Sequence, residues 1–510
     1  MTKRELQDSA RELIQTDPNK SVEISLNIYQ SFPDEFNNYD AVNLLQAARK
    51  AGNTNVPKLS EIIAKFSDNE IVYGICGWYI FDNYIKKKSP QQILQYENVI
   101  AQFLPILKQK DVSINDQYPC PFYLIVSNLW SAHSNNLFNA NKIFYYCTFI
   151  NPDFLSKKSS SYTTDEGKDV AQASSYEEYF QYYTKACDKL NRAEETISSC
   201  KIALSTISEF HYDNDLWFKM RIARAHSKLN DYTAAEKIYL EIINSRAGNT
   251  KYFLYKEFSE LLYTQQRYKE SWKYSLRSGV ILRDVQFSSG LLLLQSRLLG
   301  RLNRIEEANK FAEIIYAGIK EELWNSSNDY QKLINYFKIQ NVSDKANTLF
   351  KNLYSFYKDE LYDDALTSEG KIVFIHKNGK FGKIKYNNED AINFTKNSFN
   401  KRAGRLEKFV EATVSFVSDY DYNASPIAEN IKVTTFKKPA ELVGKEFKGR
   451  IQNIVDFGMF VDFDSDKTGL VHISVLNESF KEEYNIGDTV HLKVTKETNK
   501  GFSLKLLEKL

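Results

Sequence analysis

The hydrophobic period of this chain changes once, near residue 369, and that change constrains the fold more than any other feature. Before it, apolar residues recur at helical spacing in runs of about 12 to 20 residues. After it, short segments alternate apolar and polar residues, as half-buried strands do. Helices followed by strands imply a multidomain α plus β chain, with an α-helical solenoid first and small β-domains after it. The 510 residues leave room for three or more domains at about 100–200 residues each. Gly 19 and Pro 10 are low for this length, which argues against an all-β chain.

The helical part is punctuated at Pro18, Pro33, Gly52 and Pro90. Residues 229–243, 265–279 and 302–316 share one pattern. A polar turn precedes Tyr232, Tyr268 or Ile305, and a small residue follows three positions on: Ala235, Ser271 or Ala308. The first anchors are 36 and 37 residues apart. Small residues let two helices approach, the larger residue is expected to plug the turn, and stacked hairpins bury a continuous core. With this period the segment resembles the tetratricopeptide (TPR) family. The family's Trp-x-x-Leu-Gly-x-x-Tyr element is not kept; Ile222-Ala223 and His226 stand there. Weaker copies lie at 191–204 and at 19–34, where Pro33 sits as it does after a TPR second helix. The reading is therefore helical repeats of uncertain type over 1–155 and TPR-like repeats over 176–366, the latter offering a groove to a protein partner. Residues 156–175 are polar and Ser-rich and are expected to form a flexible loop or linker.

The clearest motifs lie in 442–510. They are Gly444 and Gly449, then Asp456-Phe457-Gly458-Met459-Phe460-Val461, then Gly469-Leu470-Val471-His472-Ile473-Ser474, then Ile486-Gly487-Asp488-Thr489-Val490. This ordered set resembles the S1 RNA-binding domain, an OB-fold barrel of five strands. Alternation points Val471 and Ile473 inward and His472 outward. Gly458 permits a bend that lets Phe457 and Phe460 flank one face. Rings beside an imidazole make a platform on which bases stack, at about 1–3 kcal/mol each. The bland alternative is that both Phe fill the barrel core. The resemblance implies RNA contact by Phe457, Phe460 and His472. It also implies an Asp and an Arg near the last hairpin, which here reads Thr498-Asn499-Lys500-Gly501-Phe502-Ser503. Both are missing, and Lys493, Lys500 and Lys505 are the candidates for phosphate contacts.

Residues 369–434 resemble a cold-shock domain, a second five-stranded OB-fold. Gly370, Ile372 and Phe374 match its opening strand, and Gly379-Lys380-Phe381-Gly382-Lys383-Ile384 its second motif. One motif aromatic is replaced by Lys383, and Ile392-Asn393-Phe394-Thr395-Lys396 lacks the family's outward Phe and His. What remains for nucleic acid is Phe374, His376 and Phe381 among Lys380, Lys383 and Lys385. The net charge of the chain is only +2, but residues 369–408 hold ten Lys or Arg against four Asp or Glu. Clustered lysines with interleaved rings suit single-stranded nucleic acid; a plain solvated lysine face is the alternative.

No Walker P-loop, GxSxG, HExxH or GxGxxG occurs. The six histidines have no ligand spacing, and Asp462-x-Asp464-x-Asp466 lacks the Gly and Glu of a calcium loop. Five scattered cysteines without a CxxC read as free thiols in a reducing compartment. The longest apolar run, Ile71 to Phe81, is too short to span a bilayer, and MTKRELQDSARELIQ has no leader-like apolar core. The expectation is a cytoplasmic chain with no enzymatic activity and no metal or cofactor. It would be an adaptor joining a protein partner to single-stranded RNA, with single-stranded DNA as the other possible ligand. The other readings are a protein scaffold whose barrels bind no nucleic acid, and a nucleic-acid sensor. The last rests on architecture similar to bacterial conflict systems, including those called TOTE.

Overall fold

The computed structural model describes every residue except 53, 114–119, 165, 388–389, 402, 421–424, 436–441, 464–467, 478 and 499–500. The chain divides into two compact units, Met1–Ile242 and Ile243–Leu510.

The first unit is helical, and its helices start and stop where local chemistry dictates. Thr2 and Glu5 form a capping box on Lys3–Thr16. Pro18 begins the helix Pro18–Ser31, capped by Asp17, and Gly52 closes Asn38–Ala51 in a left-handed conformation at φ 62°. The apolar run becomes the helix Glu70–Ile80, continued by a wider π-turn over Phe81–Ile85. Trp130, Tyr79 and Tyr146 are fully buried in the core. All five cysteines are buried and free. Among the described residues no helix is long and apolar enough to cross a membrane. None of their His, Cys, Asp and Glu side chains group to hold a metal ion.

The Ser-rich stretch is not structureless. Strands β1 (Ser160–Thr163) and β2 (Asp169–Gln172) pair antiparallel, Ser160 opposite Gln172, around a turn with Gly167 at φ 75°. Sequence reading expected a loop because the strands carry little apolar surface; backbone pairing, not burial, defines them.

Four helical hairpins close on one turn. Asn191, Asn230, Gln266 and Asn303 each adopt a left-handed conformation, spaced 39, 36 and 37 residues apart. The next residue's N–H reaches back to a helix carbonyl each time: Arg192 to Cys187, Asp231 to His226, Arg267 to Leu262, Arg304 to Leu299. Ala235, Ser271 and Ala308 are fully buried, as close helix approach requires. In the second unit the repeat extends to hydrogen bonds. Buried Ser259 donates to Ser271 O (2.7 Å), and Ser296, 37 residues on, donates to Ala308 O (2.9 Å). Of the larger anchors, Tyr268 packs on the core and meets Tyr263 edge-on at 5.4 Å, whereas Ile305 is 44% exposed and does not plug its turn.

Two barrels follow in the second unit. The first comprises β3 (Thr367–Ile375), β4 (Phe381–Tyr386), β5 (Asp390–Thr395), β6 (Thr413–Tyr420) and β7 (Pro426–Thr435). The second comprises β8 (Glu446–Val455), β9 (Gly458–Asp462), β10 (Gly469–His472), β11 (Thr489–Thr498) and β12 (Gly501–Lys509). Both close in the order first, second, third, fifth, fourth strand, with the third and fifth parallel. That shared order is an OB-fold arrangement. Ile372, Ile384, Phe394 and Phe416 fill the first core; Met459, Val461, Val471 and Leu492 fill the second.

The first barrel is bound to the helices through β6, β7 and the segment after β5. Arg277 of the helix Tyr268–Ile281 pairs with Asp419 of β6 at 2.5 Å. From the helix Ala346–Leu361, Lys358 pairs with Glu429 and Asp359 with Lys432 (2.6 Å), both on β7. Tyr354 donates to Asn397 O at 2.9 Å. In the closed order, β4 neighbours only β3 and β5, so its outer face lies away from these strands.

Candidate nucleic-acid interface

In the second barrel, the antiparallel register sorts the side chains. Met459 lies opposite Val471, and both are buried; Phe460 lies opposite Leu470 and Gly458 opposite His472, on the outer face. Phe457 occupies the turn between β8 and β9 and is 49% exposed. Its ring meets Phe460 edge-on, centroids 5.9 Å apart. Phe460 is half-buried and His472 exposed, so neither is core.

Gly458 makes this arrangement possible. Its φ is 145°, and a Cβ there would lie 2.2 Å from Val471 O. Only glycine lets the two backbones come that close while Phe457 and Phe460 stand on either side. Ile473 N–H donates to Phe457 O at 2.9 Å, tying the turn to the end of β10. Ile473 itself is 40% exposed, which corrects the expectation that it points inward. The strand ends at His472 and enters a short 3-10 turn, so alternation stops one residue early.

His472 is held by its own backbone. Nδ1 accepts from Ser474 N–H (3.2 Å), with Ser474 Oγ at 3.0 Å. The neutral ring therefore carries its proton on Nε2, which is left to donate outward. Asn453 on β8 lies opposite Phe460 and is exposed, adding an amide that motif reading missed. Beside the rings, Asp456 is bonded by Lys481 at 2.5 Å, which holds its carboxyl below the usual range.

The hairpin lysines divide. Lys505 is exposed and lies two residues past Ser503, as His472 lies two past Leu470, so the parallel register carries both to one end of the β10–β12 pair. Lys493 faces Lys505 from β11 and is half-buried between it and Glu446 of β8. Lys500 lies outside the described residues, as do Asp464 and Asp466.

The first barrel builds a comparable face on β3 and β4. A bulge between Ile372 and Phe374 turns both Val373 and Phe374 outward while Ile372 stays buried. His376 stacks on Phe381, centroids 4.3 Å apart and planes at 21°, and meets Phe374 edge-on at 6.4 Å. Its Nδ1 accepts from Asn378 N–H at 3.3 Å, so this imidazole too presents Nε2. Gly379 at φ 63° closes the hairpin, with Lys380 exposed in it. Lys383 lies opposite Phe374, and Lys385 opposite Lys371, all exposed except where the rings touch. Lys371 belongs to this face and was missed, because only the cross-strand register brings it there. The expected loss of an outward ring on β5 is visible: Phe394 is buried and Asn393 faces out opposite Lys383.

Residues 442–507 match the S1 RNA binding domain family. The same region is similar to curated proteins named polyribonucleotide nucleotidyltransferase. The relative from Campylobacter concisus is 37% identical over 71 residues, 14% of this chain and 9% of its own length. The Clostridioides difficile relative is 33% identical over 96 residues, 16% of this chain and 14% of its own. The Novosphingobium aromaticivorans relative is 43% identical over 63 residues, 12% of this chain and 8% of its own. The similarity lies over the S1 domain, so the chain spans only a small part of these relatives. A solved multidomain protein with nucleic acid binding domains from Streptococcus pneumoniae aligns with 28% of this chain and 50% of its own. Its TM-score is 0.13 and its identity 10%, so the fold assignment rests on the strand order instead. The carboxyl-terminal barrel of this chain is an S1 RNA-binding domain.

Proposed function

We propose that this chain is a non-enzymatic adaptor whose two barrels hold single-stranded RNA while its helical hairpins hold a protein partner. The observation that carries the RNA half is the outward cluster of Phe457, Phe460 and His472 around Gly458, within the segment matched to S1 RNA-binding domains. Two exposed or half-exposed rings beside an imidazole donor offer bases both stacking and a hydrogen bond. The basic, ring-bearing face of the first barrel supports a second contact of the same kind. The adaptor half is supported by the repeated hairpin turn, as expected of a tetratricopeptide-like groove, and by the ion pairs that fix the first barrel to those helices. Tethering client and nucleic acid in one chain raises their effective concentration.

The test is titration of the full chain with labelled 20-nucleotide oligouridylate at low and high salt. Binding at low salt that weakens as salt rises is expected, and no binding at low salt overturns the reading in favour of a protein-only scaffold. Phe457→Ala and His472→Ala should each weaken binding by about 1–3 kcal/mol without unfolding the barrel. Oligodeoxyuridylate of equal length separates RNA from DNA as the ligand.

A further inference from the structure

We infer that the two barrels take one strand together with divided roles, the first holding its phosphates and the second stacking its bases; this rests on the RNA reading above. The charges are unequally placed. Residues 369–408 carry a net +6, whereas 442–510 hold ten Lys or Arg against eleven Asp or Glu. On the first barrel Lys371, Lys383 and Lys385 stand exposed on adjacent strands, with no ion pair to any of them among the described residues. On the second, Lys481 is already neutralised by Asp456, the residue before Phe457, which leaves Lys505 as the exposed lysine toward the His472 end. The rings are distributed the other way. In the first barrel His376 covers a face of Phe381, leaving less ring surface for bases. In the second, Phe457 and Phe460 meet edge-on, and an edge-on pair leaves a ring face open.

Geometry allows a shared strand. The first barrel is held to the helices through β6 and β7, which leaves the β3–β4 face for ligand. Leu442 packs on the second core and Gly444 N–H donates to Val494 O, so seven positions separate Thr435 from that barrel, a reach of at most about 25 Å. A short tether gives the second contact an effective concentration on the order of millimolar. Each OB-fold takes roughly 4–16 nucleotides, so a strand that fills both must be longer than one that fills either.

The test uses the full chain and oligouridylates of 6 and 20 nucleotides over a salt series. The 20-mer should bind at least tenfold more tightly than the 6-mer. For single strands log K falls with log salt by about 0.7 per phosphate neutralised, so Lys371→Gln/Lys383→Gln/Lys385→Gln should lower the slope for the 20-mer by about 2. Phe457→Ala/Phe460→Ala should weaken the 20-mer at least tenfold and leave its slope unchanged. Equal affinity for the two lengths, or a slope that the triple substitution does not move, overturns divided binding while leaving S1 binding intact. Failure of the native chain to bind either oligomer overturns both readings.

Discussion

Arg277, on a helix of the repeat array, reaches Asp419 on β6 of the first barrel at 2.5 Å, and Tyr362 donates to the same carboxylate oxygen at 2.9 Å. Burial opposes the charge of Asp419, but Arg277 outweighs it and keeps the carboxyl below its usual range. With Lys358–Glu429 and Asp359–Lys432 this forms a polar seam between helices and barrel.

Asp419→Ala should therefore loosen the barrel from the helices. Charged hydrogen bonds contribute about 1.5–3 kcal/mol each, so a loss of about 2 kcal/mol is expected, with faster proteolysis near the seam. Limited proteolysis and thermal denaturation of the full chain check this; unchanged profiles would show that the seam is dispensable.

Lys358 is 2% exposed, and burial pushes its ammonium pKa down against the pull of Glu429. Lys358→Met strands the carboxylate and should cost about 3–5 kcal/mol. Lys358→Met/Glu429→Leu removes both charges and should recover most of that loss. Denaturation midpoints of the single and double variants measure the difference, and equal midpoints would contradict the pairing.

Arg304 donates to Glu360 at 2.5 Å and Trp272 Nε1 to the same oxygen at 3.2 Å. The Arg304 bond holds the Glu360 carboxyl below its usual range. A depressed folded pKa gives stability that is complete above the unfolded value of about 4.3 and is lost as pH falls through the folded one. Glu360→Gln should thus cost about 1–2 kcal/mol at neutral pH, with the gap to the native chain closing below about pH 4. Urea denaturation at pH 7 and pH 3.5 reads both.

Gly458→Ala meets two obstacles, a φ of 145° and the Val471 carbonyl 2.2 Å from the new methyl. Separation of β9 from β10 and a loss of at least about 2 kcal/mol are expected. Oligouridylate affinity should fall while the helical circular dichroism is kept; retained affinity would mean the ring cluster does not depend on this close approach.

What could be read from the residues was what depends on neighbours in the chain. The change of period located the helical part and both barrels, and Gly458 pointed to the ring cluster. What escaped depends on pairing across strands. Asn453 and Lys371 reach their faces only through register with Phe460 and Lys385. The β1–β2 hairpin was hidden because backbone bonds rather than apolar side chains define it. Ile473 was misplaced because alternation holds only while the strand lasts, and β10 ends one residue before it.

The recurring left-handed turn at Asn191, Asn230, Gln266 and Asn303 has an engineering consequence. Because each join is closed by its own local bonds, a helix pair can be duplicated between two such joins without redesigning the ends, as long as the helix that carries Arg277 keeps its place against the first barrel. The length of the helical array then becomes adjustable by cassette, while both barrels are left as they are.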